Sequence, residues 1–381
     1  MKITDDWITA DSTQRVLHML TSAGQQAFLV GGCVRNALLG QAVADIDIAT
    51  DALPATVMSL ARAAGMRPVP TGVDHGTVTV LADHVAHEVT TFRRDVETFG
   101  RHATVAFSPH IEEDAARRDF TMNALYARAD GRVIDPLGSG LADLAARRLR
   151  FVGKPKDRIR EDYLRILRFF RFTALYGDPA NGPDAEGLAA CAAHADCINT
   201  LSRERVGAEM RKLLTAPDPG PALASMEACG VLAHTLAGAT ARAIAPLVHL
   251  EDGHKPDFIR RLAALGGTDQ AEALRLSNAE ARALEALQSA IGSYEDAGTL
   301  GYRLGEAGAQ DALLVRAALL EMPLPEGWPE AARRGASARF PISAADLMPD
   351  LQGPALGQRL RDLEARWIAS GFTLSRDELL R

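Results

Sequence analysis

A chain of 381 residues is long for a single hydrophobic core, so two or three domains are expected. Its 47% hydrophobic and 24% charged residues are an ordinary globular composition. A net charge of −7 excludes a basic coat for nonspecific nucleic-acid binding, and no apolar run approaches the ~18 residues that span a membrane.

The first third alternates helix and strand. Residues 11–24 predict an amphipathic helix with Val16, Leu17 and Leu20 on its apolar side. Ala27-Phe28-Leu29-Val30 reads as a short buried strand, followed by Gly31-Gly32 and a helix through Leu39. Asp45-Ile46-Asp47-Ile48 alternates with period two, as a half-buried strand does. A helix over 55–65 and strands over Thr77–Leu81 and Glu88–Phe92 come next. The polar stretch from Arg93 to Thr104, with Gly100 in it, reads as a mobile loop, and Val133-Ile134-Asp135-Pro136 ends the sheet region. Past about residue 140 helical periodicity takes over, broken at Gly177–Gly187, Pro217–Pro221 and Met322–Trp328. Ser277 and Glu280 form a capping box at the head of one helix, and Pro354–Ser370 reads as another. No fixed-period repeat is present, and the oligomeric state is left open.

The four cysteines make no C-x-x-C pair. Cys191, His194 and Cys197 are spaced like metal ligands, but they lie in an Ala-rich helical stretch without a fourth ligand and read as small buried helix residues. The N-terminus lacks a signal-peptide core, so the cytoplasm is the expected location.

Chemistry concentrates in a few places. Alternation puts Asp45 and Asp47 on one face of their strand, and two neighbouring carboxylates repel unless protonated or bridged by cations. Hard divalent ions such as Mg²⁺ relieve that repulsion, and such ions serve in-line displacement at phosphorus. D-x-D alone more often marks a solvated acidic edge. Here a strand–Gly31-Gly32–helix turn lies twelve residues upstream, where backbone amides, the helix dipole and Arg35 suit phosphate. Glu88, on a nearby strand, is a candidate third acidic group and equally a surface glutamate. In Arg117-Arg118-Asp119-Phe120-Thr121-Met122-Asn123 an arginine can fork onto phosphate and an aspartate can accept from ribose, although a salt bridge explains the pair as well.

Between Arg147 and Arg171 stand ten Lys or Arg against three acids, a run that fits either a phosphate-binding stripe or a solvated helix face. Within it, Glu161, Arg165 and Arg168 share one face of a helix predicted over Glu161–Phe172, with Asp162 on the flank within reach of Arg165. A carboxylate accepts from an exocyclic amine and a guanidinium donates to a ring acceptor, so this pair matches cytosine and adenine and mismatches uracil and guanine. The plain alternative is a helix-face salt bridge worth ~0.3–0.5 kcal/mol.

These segments, together with His75-Gly76-Thr77-Val78, Glu88-Val89-Thr90-Thr91-Phe92-Arg93 and Leu201-Ser202-Arg203-Glu204-Arg205, resemble the class II CCA-adding enzymes and bacterial poly(A) polymerases over residues 28–213. The resemblance implies an α+β fold: a nucleotidyltransferase α/β head with a mixed sheet over 1–145, a helical neck and body with a base-selecting helix over 146–240, and a helical, tRNA-holding body and tail over 241–381. It implies template-independent addition of CMP and AMP from CTP and ATP to the 3′ end of tRNA. Asp45 and Asp47 would hold Mg²⁺; Gly31, Gly32, Arg35, Arg118 and Asp119 would meet triphosphate and ribose; Asp162 and Arg165, with Arg168 beside them, would select the base. Residues 93–104 match the family's flexible loop. Where the family usually carries aspartate after the first arginine, this chain has Asn36. A poly(A) polymerase or a partial CC- or A-adding enzyme shares the motifs, and the acidic overall charge favours CCA addition. A noncatalytic RNA-binding helical protein with a degenerate head is disfavoured by the intact Asp45 and Asp47. An oxidoreductase is disfavoured by the missing G-x-G-x-x-G.

Overall fold

The computed structural model describes residues 1–99, 102–348 and 350–381, with the backbone alone for 95–99 and 102–105. The chain divides into two compact units, Met1–Thr235 and Leu236–Arg381.

The first unit begins with α1 (Asp6–Thr9), α2 (Asp11–Ser22), β1 (Ala27–Val30), α3 (Gly32–Leu38), β2 (Ile46–Thr50) and α4 (Pro54–Ala63). Next come β3 (Arg67–Gly72), β4 (Thr77–Ala82), β5 (Val85–Thr91), β6 (Arg93–Phe99), β7 (His102–Phe107), α5 (Ile111–Ala116), β8 (Tyr126–Ala127) and β9 (Val133–Ile134). Seven strands form one mixed sheet in the order β3-β4-β5-β2-β1-β8-β9. β2 and β5 run parallel and in register, Asp47 opposite Glu88, and every other pairing is antiparallel. Val16, Leu17 and Leu20 of α2 are fully buried, as the periodicity requires. Leu29 and Ile48, on the paired β1 and β2, are buried as completely.

Several features of this stretch depart from the sequence expectation. β3 carries Pro68 and Pro70, which the sheet tolerates because β3 is an edge strand. The stretch expected to be a mobile loop forms the hairpin β6–β7, paired from Arg93↔Phe107 to Phe99↔His102, while Gly100 lies outside the described residues. Asp45 stands one residue before β2 and is exposed.

The helices that follow are α6 (Gly140–Ala145), α7 (Pro155–Glu161), α8 (Leu164–Tyr176), α9 (Ala185–Ala192), α10 (Arg203–Leu214), α11 (Gly220–Ala228) and α12 (Val231–Thr235). The continuous helix expected over Glu161–Phe172 is two helices. Asp162 is extended (φ −155°, ψ 108°), and its carboxylate accepts the Leu164 amide at 3.1 Å, satisfying a donor at the head of α8. α8 and α10 are tied by a buried Arg171–Glu209 pair at 2.6 Å. Cys191 is buried on α9, whereas Cys197 lies partly exposed in the following 3₁₀ turn. His194 bonds the Ala190 carbonyl at 2.9 Å.

The second unit is all helical: α13 (Ile244–Leu250), α14 (Phe258–Leu265), α15 (Gln270–Ala273), α16 (Asn278–Gly292), α17 (Ala297–Leu320), α18 (Trp328–Ser337), α19 (Gly353–Ala369) and α20 (Arg376–Leu380). The Ser277–Glu280 capping box opens α16, and α17 is interrupted at Gly305 (φ 76°). A buried Glu251 pairs with both Arg260 and Arg261. Among the described residues no helix is long and apolar enough to cross a membrane.

Candidate active site

The turn between β1 and α3 is set by Gly31, whose φ of +72° only glycine adopts without strain. A Cβ there would lie 3.3 Å from Nη1 of Arg118. The glycine thus leaves room for a guanidinium to face the backbone turn. Gly32 opens α3, and a Cβ on it would meet only Nη2 of Arg35, 3.9 Å away.

Next to β1, strand β2 presents Asp47, and β5 presents Glu88 at the same level. Burial pushes the Asp47 carboxyl up to about 6, the Glu88 and Asp45 charges add to the rise, and Arg118 opposes it. The Asp47 carboxylate has no hydrogen-bond or ion-pair partner among the described residues, although its backbone carbonyl accepts from Cys33 Sγ at 3.8 Å. Asp47 thus stands half-buried, with the exposed Asp45 and Glu88 carboxylates near enough to raise its pKa and no protein cation paired with it among the described residues. That donor set fits a hard divalent ion, which takes one or two carboxylates and completes its shell with phosphate oxygens and water. No group of three His, Cys, Asp or Glu side chains among the described residues is assembled as a metal cage.

Arg118 is held from behind. Its Nη2 donates to Asp114 at 2.9 Å, its Nε donates to the Tyr126 hydroxyl at 3.1 Å, and that hydroxyl donates to the same Asp114 oxygen at 2.7 Å. Burial acts to lower the Arg118 pKa, but Tyr126 and Asp114 outweigh it and raise it. Asp114, by the same pairing, is held below the usual carboxylate range despite its burial.

Arg35, expected at the triphosphate, is buried and turned toward α8. It donates to Asn36 (3.1 and 2.8 Å), Asn123 (2.5 Å) and the Tyr176 hydroxyl (2.7 Å), with its guanidinium 3.9 Å from the Tyr176 ring centre. Desolvation lowers its pKa. Asn36 accepts from Arg35 and donates to the Ala42 carbonyl at 3.1 Å, so the residue replacing the family's aspartate still anchors the arginine. Asn123 in turn donates to Asp119 at 2.9 Å, and Asp119 pairs with Arg168 of α8 through Nε at 2.9 Å and through Nη2. Burial acts against the Asp119 charge, yet Arg168 and these hydrogen bonds hold its pKa below the ordinary value. One relay, Arg35–Asn123–Asp119–Arg168, thus joins the glycine turn to α8.

The pair expected to read the base is not in mutual contact. Asp162 binds Arg205 of α10 at 2.6 Å, while Arg165 binds Glu161 and donates to the Arg158 carbonyl at 2.8 Å. The break at Asp162 separates them, correcting the expectation that Asp162 reaches Arg165 along one helix. Sequence reasoning missed Asp114, Tyr126 and Arg205 as site residues. Asp114 was visible four residues before Arg118 as an i,i+4 partner, whereas Tyr126 and Arg205 reach the site only through tertiary structure.

A glycine turn, a fixed arginine and adjacent strand carboxylates on a mixed sheet define a nucleotidyltransferase head. Residues 27–150 match the family described as the poly A polymerase head domain, and 183–242 match the probable RNA and SrmB-binding site of polymerase A. The mitochondrial CCA tRNA nucleotidyltransferase 1 of Mus musculus is 32% identical over 369 residues, covering 92% of this chain and 85% of that protein. The CCA-adding enzyme of Levilactobacillus brevis is 40% identical over 218 residues, 57% of this chain; there the chain spans about half (53%) of its relative's length. The solved structure of the Bacillus stearothermophilus CCA-adding enzyme in complex with CTP superposes with a TM-score of 0.71 at 27% identity, covering 94% of this chain and 92% of that one. The chain belongs to the family of class II CCA-adding enzymes and poly(A) polymerases. Its fold is α+β, as the sequence implies.

Proposed function

We propose that this protein adds CMP and AMP, from CTP and ATP, to the 3′ end of tRNA in the cytoplasm. The observation that carries the reading is the half-buried Asp47 carboxylate, unpartnered among the described residues, with Glu88 opposite it in the β2–β5 pairing and the Asp45 and Arg118 charges acting on it. Mg²⁺ held by Asp45 and Asp47, with Glu88 as the neighbouring third acid, would activate the tRNA 3′-hydroxyl and stabilise the departing pyrophosphate. Arg118 and the Gly31-Gly32 turn receive the triphosphate. Arg35 and Asp119 act within the relay that holds α8 against this turn, with Arg168 at its far end.

Asp162 and Arg165 select the base. Each keeps capacity for it: a carboxylate offers about four lone-pair sites, two of which are taken at Asp162, and the Nε–H of Arg165 has no partner among the described residues. An acceptor and a donor side by side suit cytosine and adenine. Residues 241–381 hold the tRNA body.

The test compares tRNA lacking CCA, tRNA ending in CC and a generic RNA, each with CTP and ATP. CCA addition predicts C then A on the first, A alone on the second and nothing on the third. Poly(A) tracts on all three would instead show a poly(A) polymerase, and a single type of addition a partial enzyme. Asp45→Ala and Asp47→Ala abolish incorporation, a loss of at least about a thousandfold, while tRNA binding persists. Extension by the double variant would refute the assignment of the carboxylates.

A further inference from the structure

We propose that Asp114 and Tyr126 are positioning residues that lock Arg118 in place for the nucleotide's triphosphate, an inference that rests on the nucleotidyl-transfer reading above. Both are buried, at 1% and 0% exposure. The three groups close a triangle: tyrosine hydroxyl to carboxylate at 2.7 Å, Nη2 to the same oxygen at 2.9 Å, and Nε to the phenolic oxygen at 3.1 Å. The guanidinium carbon lies 5.2 Å from the Tyr126 ring centre. The Nε and Nη2 edge is thereby fixed. Nη1 has no hydrogen-bond partner among the described residues and faces the Gly31 turn.

The clamp is itself anchored. Tyr126 lies edge-on to Phe28, with ring centres 6.4 Å apart, in the core cluster that also holds Phe92 and Ala115. Asp114 sits on α5, and Arg118 follows two residues past the helix end with its amide bonded to the Ala115 carbonyl at 3.2 Å, so the helix terminus places the two four residues apart within reach. A long arginine side chain free in solvent loses rotamer freedom when it grips phosphate. Here that freedom is removed before the nucleotide arrives, and pre-organisation of this kind tightens binding without adding a contact. Because triphosphate is common to both nucleotides, the clamp acts on CTP and ATP alike and leaves base selection untouched.

Tyr126→Phe keeps the ring and its packing and deletes only the hydroxyl. The expected result is a rise of about tenfold in KM for both CTP and ATP, with kcat changed far less and the C/A-over-U/G preference constant. In an Arg118→Lys background the same change adds nothing, since the group it positions is gone. Asp114→Asn follows the same pattern, and thermal unfolding of each variant verifies that it is folded. KM within twofold of wild type in Tyr126→Phe, or equal effects in both backgrounds, would overturn the proposal. Calorimetric titration of CTP with Mg²⁺ separates the two readings. A wild-type protein that binds CTP but extends no RNA defeats the catalytic reading, and the clamp is then judged by whether Tyr126→Phe weakens that binding. Failure of the wild type to bind CTP overturns the clamp as well.

Discussion

At Asp47 the sheet keeps a carboxylate that burial and two acidic neighbours push up to about 6. An unfolded aspartate titrates near 3.9, so the folded, metal-free protein binds this proton more tightly than the unfolded chain. The stabilising contribution is complete below the unfolded value and is lost as pH rises through about 6. Above that pH the ionised group strains the metal-free fold. Asp47→Asn therefore abolishes transfer yet raises the metal-free protein's stability at pH 8 by about 1–2 kcal/mol, read by denaturant unfolding without divalent ions. At pH 5 the gain is roughly halved, and it disappears only below about pH 4, the unfolded aspartate's range. Mg²⁺ held by Asp47 as proposed requires the ionised form, so its calorimetric affinity is expected to fall as pH drops through 6 and to be flat above 7. Equal Mg²⁺ affinity at pH 5 and pH 8 would show that Asp47 is not its ligand. Much of this was legible in the sequence, because strand alternation and a double glycine are local signals. The Arg118 clamp was not: Tyr126 stands on β8, and only sheet pairing of β8 with β1 brings its hydroxyl to the turn.

The two helices that meet at Asp162 show what a helical period fails to reveal. Glu161, Arg165 and Arg168 keep the spacing of one face whether or not the backbone breaks, and a single extended residue redirects the pair. Asp162 turns to Arg205 on α10, and Arg165 turns back to Glu161 at the end of α7. The two side chains proposed to read the base are thus held from two sides by neighbouring helices, in place of a weak mutual salt bridge. Removing Asp162 or Arg165 by alanine leaves one half of the hydrogen-bond pattern, so discrimination of CTP and ATP against UTP and GTP falls by about ten- to a hundredfold, an effect of about 1–3 kcal/mol. Competition between CTP and UTP on tRNA lacking CCA measures it. Undiminished rejection of UTP and GTP in both variants would place base selection elsewhere. Other elements escaped the sequence for local reasons. Pro68 and Pro70 mask β3, β8 is two residues long, and the polar composition of 93–104 conceals a hairpin.

Over the whole molecule the charge balance bears on how the proposed tRNA substrate would be held. The ten cations between Arg147 and Arg171 suggested a phosphate stripe, but the fold has already matched most of them. Arg148 and Arg150 hold Asp143, Arg158 and Arg165 hold Glu161, Arg168 holds Asp119, and Arg171 holds Glu209. Arg147, Lys154, Lys156 and Arg160 are left without an ion-pair partner among the described residues. Internal pairing serves cohesion of the first unit, where buried carboxylates such as Asp143 would otherwise be unmatched. Together with a net charge of −7, this leaves few cations of that run free to displace counterions from tRNA. A protein making six to ten phosphate contacts loses about 10³–10⁵ in affinity between 50 and 200 mM salt. This one is expected to lose less than about a hundredfold over that range, because most cations of the 147–171 run already have internal partners and the chain is acidic overall. Filter binding or anisotropy with tRNA lacking CCA across that salt series gives the slope. A thousandfold loss would mean that the arginines abandon their internal partners for phosphate, and that the basic run is an RNA-binding stripe after all.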